Sequence, residues 1–414
     1  MRFGNRSRVS TPVASWLETN PVEPIIGTFT WDSGTSSPAA SQTAETTYIE
    51  ELHGSMKRCV VSDAGVVQYY LDPTDSTLKE DGGAANLDGT DGQVMVEIPK
   101  FYTKREVSGT ETTWSISPQN LSGFSVHPAF VKDGVEVDYR YYGAYHASYL
   151  DASDGTYKSG LNLDNLSVDT GADKLGSVSG VYPIVGVTRA ECRALAANRG
   201  SFWRQLDFAL WSAVQLLYLV EYQTFYSQDE LGAGNTADSY VSSSSNQSNS
   251  PSSIAGRSNS LGNVSTDTTS GASTVTNPPT AFMSYRGIEN WYGNAWQWAD
   301  GIVKDDADIY ITNDRSDFSD VGSPAGHDLV FDAFPNGPDG YIDAIADVDA
   351  YFLASSVSGS SSTYLTDYLF TNSGTRVVLV GGSADRGAQA GAFYVNAALS
   401  SSDAGRSVGA RLAG

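Results

Sequence analysis

Hydrophobic and polar positions along the chain recur in short runs broken by turn residues, which is the pattern of β-strands. The runs at 57–62, 66–71, 94–104, 114–117 and 135–146 read as strands, and Asp63-Ala-Gly65 and Asp133-Gly134 read as hairpin turns between them. Upstream, only 25–31 resembles a strand amid Pro12, Pro21, Pro24 and Pro38, so residues 1–50 read as an arm or attachment segment. The period then changes. Thr188-Arg-Ala-Glu191 has capping-box spacing and opens a short helix through Asn198, with Gly200 placed to end it. A longer helix is expected from about 204 to 225, where Leu206, Phe208, Leu210, Trp211, Val214, Leu217, Tyr218 and Val220 leave so little polar surface that it must be covered on most sides.

Residues 231–280 are dominated by Ser, Asn, Thr and Gly and cannot bury a core of their own, so they read as an inserted surface loop. Beyond it come an aromatic cluster at 291–298, a strand at 308–312, loops carrying Asp343, Asp347 and Asp349, and a buried strand at 377–380 followed by Gly381 and Gly382. Gly293, Gly381 and Gly382 mark places where a side chain would block a turn or a close backbone approach. Trp291, Trp296 and Trp298 supply apolar area for a core and indole N–H groups that need partners. The resulting division is an arm (1–50), a β-rich module (51–150) and a C-terminal domain (151–414).

Composition narrows the function. Of 414 residues, 48 are acidic and 25 basic, a net charge of -23 that disfavours a phosphate-binding surface, so nucleic acid is not an expected partner. The segment 208–220 is too short to span a bilayer and reads as a buried helix, and the N-terminus has no apolar signal region, which places synthesis in the cytoplasm of the producing cell. Cys59 and Cys192 fit neither a disulfide framework nor a zinc site and read as buried thiols.

Residues 285–298, Tyr-Arg-Gly-Ile-Glu-Asn-Trp-Tyr-Gly-Asn-Ala-Trp-Gln-Trp, resemble the Gly-Asn-Val-Trp-Glu-Trp signature of the formylglycine-generating-enzyme branch of the C-type lectin fold. The matching residues are Gly293, Asn294, Trp296 and Trp298; Ala295 and Gln297 depart from it. Residues 378–383 (Val-Leu-Val-Gly-Gly-Ser) and 407–411 (Ser-Val-Gly-Ala-Arg) are similar to that branch's Arg-Gly-Gly-Ser-Trp turn and closing Gly-Phe-Arg strand. The resemblance implies an α+β fold: a C-type-lectin-like domain of two helices and a small twisted antiparallel sheet, preceded by the β-rich module.

The same branch includes the variable proteins of diversity-generating retroelements, among them phage tropism determinants, and the tail of this chain is similar to them. Segments 94–102, 123–130 and 142–145 are likewise similar to tailed-phage fibre and tail-tip proteins. On that resemblance a fixed framework comprises Gly293, Asn294, Trp296, Trp298, Gly381, Gly382, Gly387, Ala390, Gly391, Phe393 and Arg411. The ligand-contacting, variable positions within 381–411 are Ala384, Asp385, Arg386, Gln389, Tyr394, Asn396, Ala398, Asp403, Gly405, Arg406 and Ser407. The implied function is adhesion of a phage particle to a bacterial cell-surface receptor, protein or glycan. Residues 1–50 would join other virion proteins, and a homo-oligomer, a trimer, would add avidity.

Two alternatives stand beside this: a capsid or tail decoration protein, and an enzyme of the formylglycine-generating type. The oxidases of that branch need paired cysteines for copper, which Cys59 and Cys192 do not supply, and the iron enzymes need a histidine cluster, which His53, His127, His146 and His327 do not form by spacing. Acidic pairs such as Glu289 with Asp300, or Asp343 with Asp347, are easy to nominate among 48 carboxylates and carry little weight. No catalytic residue, no cofactor and no resident metal is therefore expected. One calcium alternative lies in the oxygen ligands Asp305, Asp306, Asp308, Asn313, Asp314 and Asp317, against a plain solvated acidic loop.

Overall fold

A computed structural model describes residues 23–34, 48–158, 167–237, 253–267 and 280–414. It overturns the expected fold class. The chain is mostly β-sheet, 33 % strand against 12 % helix, so it is not a helix pair with a small sheet. Three α-helices occur among the described residues, against sheets of eight, six and four strands and several smaller ones. The reason lies in the C-terminal half. Asp328–Phe331, Gly340–Tyr341 and Tyr368–Thr371, in and around the stretch read as acidic loops, pair as short strands and extend the sheet around the 377–380 strand to eight strands.

The six-stranded sheet is assembled from distant parts of the chain, in the order Arg204–Gln205, Leu412–Ala413, Tyr139–Gly143, Gln93–Pro99, Lys57–Val61 and Val67–Tyr70. Strands from both sides of residue 150 therefore share one ladder. The run expected at 94–104 is two strands. Gln93–Pro99 belongs to this sheet, and after Pro99, which cannot donate to a ladder, Tyr102–Ser108 joins the four-stranded sheet instead. Gly27–Asp32 is the outer strand of that second sheet, paired with Glu111–Ser117, and it places Phe29 and Trp31 in the core. Ile49, at the end of the expected arm, also joins the core, while residues 1–22 and 35–47 lie outside the described residues.

Both expected hairpin turns take left-handed backbone: Gly65 has φ +78°, and Asp133 and Gly134 have φ +52° and +75°, the pair of positive values a type I′ turn requires. The capping box forms as its spacing predicts. Thr188 caps helix α1 (Arg189–Ala197), and the side chains of Thr188 and Glu191 satisfy each other's backbone N–H groups.

The long helix, α2 (Phe208–Tyr222), starts later than expected because Asp207 is its N-cap, its carboxylate accepting from Leu210 N at 2.8 Å, while Arg204–Gln205 is a strand. It ends where Gln223 turns left-handed, at φ +61°. Every residue of α2 but Tyr222 is buried, as an apolar helix must be when covered on all sides. A third helix, α3, spans Ser227–Leu231.

Candidate functional site

The eight-stranded sheet has two unlike faces. Its central strand, Trp296–Asp305, pairs with Thr375–Val380, which pairs with Val395–Leu399, then Tyr368–Thr371, then Gly340–Tyr341. Side chains alternate across a strand, so the register sorts them. Ala299, Val378, Val380, Val395, Ala397 and Leu369 face the main core, which also holds α2. Trp296, Trp298, Leu379 and Tyr394 face the other way, into a second core closed by Cys192, Leu195 and Ala196 of α1 and by Leu412.

That second core covers only the centre of its face. Toward the sheet edge the same face continues as an aromatic row whose members are partly exposed. Tyr341 and Tyr368 are opposite each other across two strands, with ring centroids 5.1 Å apart and edge to face. Tyr368 and Phe370 follow along one strand, also 5.1 Å apart. Beneath them Tyr394 is buried, 6.2 Å from Tyr368, 6.1 Å from Phe370 and 4.6 Å from Trp296. Arg386 lies over Phe370, its guanidinium carbon 5.3 Å from the ring centroid, and Asn396 pairs with Phe370 in register.

Polar groups at this row are incompletely used. The Tyr394 hydroxyl and the Arg386 Nε are buried without a hydrogen-bond partner among the described residues, and the Nε sits 3.3 Å from Asp385 Oδ1 as an ion pair. Asp385 Oδ1 in turn accepts from Ser383 Oγ at 2.6 Å. Burial pushes the Tyr394 phenol well above its ordinary range, so it stays protonated.

The loop carrying these residues is fixed from below. Gly381 and Gly382 have φ +86° and +85°, and a Cβ on Gly382 would stand 2.8 Å from the Tyr394 ring and 2.9 Å from Ala390. Gln228 on α3 donates to the carbonyls of Gly387 and Ala390 at 2.8 and 2.6 Å, and Gly387 N donates to Thr236 O at 2.7 Å. Asn294, left-handed at φ +63°, accepts from Asn235 Nδ2 and Ser253 N at its side chain and from Ala384 N at its carbonyl. Gly293 beside it has φ +73°, and a Cβ there would lie 2.8 Å from Thr236.

Of the eleven expected contact positions, Asp385, Arg386, Gln389, Asn396, Ala398, Asp403, Gly405, Arg406 and Ser407 are partly exposed. Ala384 and Tyr394 are wholly buried, so they shape the face from within and do not themselves reach a partner across it. Asp385, Arg386, Tyr394 and Asn396 come together at the aromatic row. Asp403, Gly405 and Ser407 belong to the return loop: Asp403 accepts from Ser400 N at 2.6 Å, Gly405 O from Gly186 N at 2.9 Å, and Ser407 O from Trp296 N at 2.8 Å.

Framework residues Trp296, Trp298, Phe393 and Arg411 are buried. Trp298 Nε1 donates to Val187 O at 2.9 Å. Among the described residues Arg411 forms no ion pair with a carboxylate. Its Nε donates to Gln297 Oε1 at 2.6 Å and its terminal nitrogens to the carbonyls of Gly143, Glu289 and Asn290.

Sequence reasoning missed Tyr341, Tyr368 and Phe370. The spacing Tyr368-x-Phe370 is a strand-face signal, but it takes on meaning only through pairing with residues 395–397, and no local pattern shows that pairing.

The nominated acidic pairs have structural occupations. Glu289 is buried and accepts from Gly256 N, Ser258 N and Ser258 Oγ, which ties residues 253–259 of the insert to the aromatic core. Within the insert, 238–252 and 268–279 lie outside the described residues. Asp300 is buried against Arg193 and Gln205; Asp347 pairs with Arg105, and Asp343 accepts from Ser358 N.

In the acidic stretch considered for calcium, Asp305 accepts from Thr375 Oγ1, Asp306 from Gly374 N and Asp314 from Ser316 N. Among the described residues no group of three or more His, Cys, Asp or Glu is arranged to hold a metal ion, and no helix is long and apolar enough to cross a membrane. Cys59 and Cys192 are buried thiols that burial holds in the protonated form. No protein-family model matches the chain, and no curated protein matches it.

Proposed function

We propose that this chain is a receptor-binding protein of a virion, which attaches a phage particle to a bacterial surface through the C-terminal aromatic face and the loops beside it. One contrast carries the reading: buried, hydrogen-bonded residues hold the sheet and its loops, while nine of the eleven expected contact positions stay partly exposed. Binding loops on a stiff scaffold tolerate change without unfolding it. The virion assignment is supported by the likeness of the tail, 381–411, to variable proteins that include phage tropism determinants, and of residues 94–102, 123–130 and 142–145 to tailed-phage fibre and tail-tip proteins. Residues 1–50 as the attachment to the particle, and a trimer as the source of avidity, belong to the same proposal.

Immunogold labelling of intact particles with antibody against residues 381–411 tests it. Label at the distal end of an appendage is expected. An epitope that becomes accessible only after particle disruption would instead make the chain a bracing or decoration component.

A further inference from the structure

The open end of the eight-stranded sheet presents an unusual combination. Tyr341, Tyr368 and Phe370 are partly exposed rings, Tyr368 in contact with each of the other two. Beside them is Arg386, held by an ion pair with Asp385 and by the Phe370 ring. Arg58, Arg140, Arg199 and Arg411 each donate to backbone carbonyls or buried side chains, whereas the guanidinium of Arg386 donates no hydrogen bond among the described residues and rests on the Phe370 ring near Asp385. Within a few ångströms the face therefore offers electron-rich ring surfaces, a fork of N–H donors and a carboxylate acceptor.

Resting on the adhesion reading above, we propose that the ligand of this face is a neutral oligosaccharide. A pyranose turns one face of C–H groups, partially positive, toward an aromatic ring, and the ring's negative quadrupole attracts it. Its equatorial hydroxyls both donate and accept, and so need donors and acceptors side by side, as Arg386 and Asp385 are. Tyr368 and Phe370, two residues apart on one strand with their rings tilted by 59°, offer separate ring surfaces to successive sugars, and Tyr341, edge to face with Tyr368 across the ladder, adds a third.

Charge disfavours the acidic members of this class. The chain carries a net charge of -23, and around the phenol at the floor of the site two carboxylates, Asp385 and Asp339, stand against one cation, Arg386, so a phosphorylated or uronic-acid polymer would meet net repulsion.

The test uses the purified full chain and intact cells from a panel of bacterial isolates, untreated, oxidised with periodate to cleave vicinal diols, or stripped with proteinase K. Binding is expected to survive proteinase and to fall about tenfold after periodate. The variants Tyr368→Leu and Arg386→Gln, with unchanged thermal midpoints, are expected to lose binding by a similar factor, and neutral soluble glycan released from a binding strain is expected to compete. Should binding survive periodate and vanish with proteinase, the saccharide proposal is overturned while adhesion stands. Absence of binding to every isolate removes the adhesion reading and this proposal with it.

Discussion

The ring of Tyr394 lies 4.6 Å from that of Trp296, so the floor of the exposed aromatic row is also a wall of the buried second core. The two residues nevertheless differ in what they contribute. Trp296 is 2 % exposed and fills volume among Tyr394, Ala390 and Val408, whereas the Tyr394 hydroxyl is buried without a partner. Trp296→Ala is expected to cost about 3–5 kcal/mol through the cavity it leaves. Tyr394→Phe removes an unsatisfied polar atom and is expected to be neutral or stabilising by about 1 kcal/mol. Urea denaturation of both variants checks the pair; a large loss in Tyr394→Phe would mean the hydroxyl has a partner after all.

Arg411 is a buried cation held by carbonyl oxygens and one amide, with its guanidinium 5.3 Å from the Tyr142 ring. Burial pulls its pKa down to about 10, still high enough to keep it charged at neutral pH. Replacement leaves several buried acceptors unpaired at once. Arg411→Ala is expected to lose on the order of 3–5 kcal/mol, and Arg411→Lys to recover less than half of that, because a point charge cannot reach acceptors arranged for a planar fork. Denaturation midpoints of the two variants decide this, and full rescue by lysine would contradict it.

The fold's dependence on acid follows from His127. It is wholly buried, its Nδ1 accepts from Ala129 N at 3.2 Å, and burial lowers its pKa from 6.5 to about 3. The unfolded chain therefore binds a proton that the folded chain refuses between those values. The neutral ring's contribution is complete above pH 6.5 and is lost progressively as pH falls toward 3. His146, buried beside Arg411, shifts in the same direction. Unfolding free energy measured from pH 7 to pH 4 is expected to drop by several kcal/mol. His127→Asn should flatten the slope, and an unchanged slope would rule this histidine out.

Much of the fold was legible because its signals are local. Thr188 and Glu191 announce their helix by spacing alone, Asp133-Gly134 announces its turn, and the uniformly apolar stretch after Asp207 announces a covered helix. What was not legible depends on partners far away in sequence. Tyr368–Thr371 is a four-residue strand in a Ser-rich and Thr-rich tract, and only its parallel pairing with Val395–Leu399 shows which way Tyr368 and Phe370 face. The fold class failed for the same reason, since short strands from 308 onward combine into a large sheet that no single run reveals. Among the expected contacts, Ala384 and Tyr394 proved buried because the Gly381-Gly382 turn folds the chain back over the sheet.

The Ser-rich insert is not loose along its whole length. The Glu289 carboxylate accepts from Gly256 N at 2.9 Å and from Ser258 N and Oγ at 2.6 and 2.7 Å. Glu289→Ala is expected to cost about 2–4 kcal/mol and to speed proteolytic cleavage within 253–267 before any other site. Limited proteolysis followed by mass spectrometry reads this out, and unchanged protection of 253–267 would show that other contacts suffice to hold it.

If the aromatic face, held by its buried framework, is what touches a bacterial surface, then cell binding depends on Tyr368 and Phe370. The purified full chain is compared with a Tyr368→Ser, Phe370→Ser double variant of matched thermal midpoint in a cell-binding titration. Saturable binding by the parent chain and a loss of about a hundredfold in the double variant are expected; equal binding by the two proteins would remove the face from adhesion.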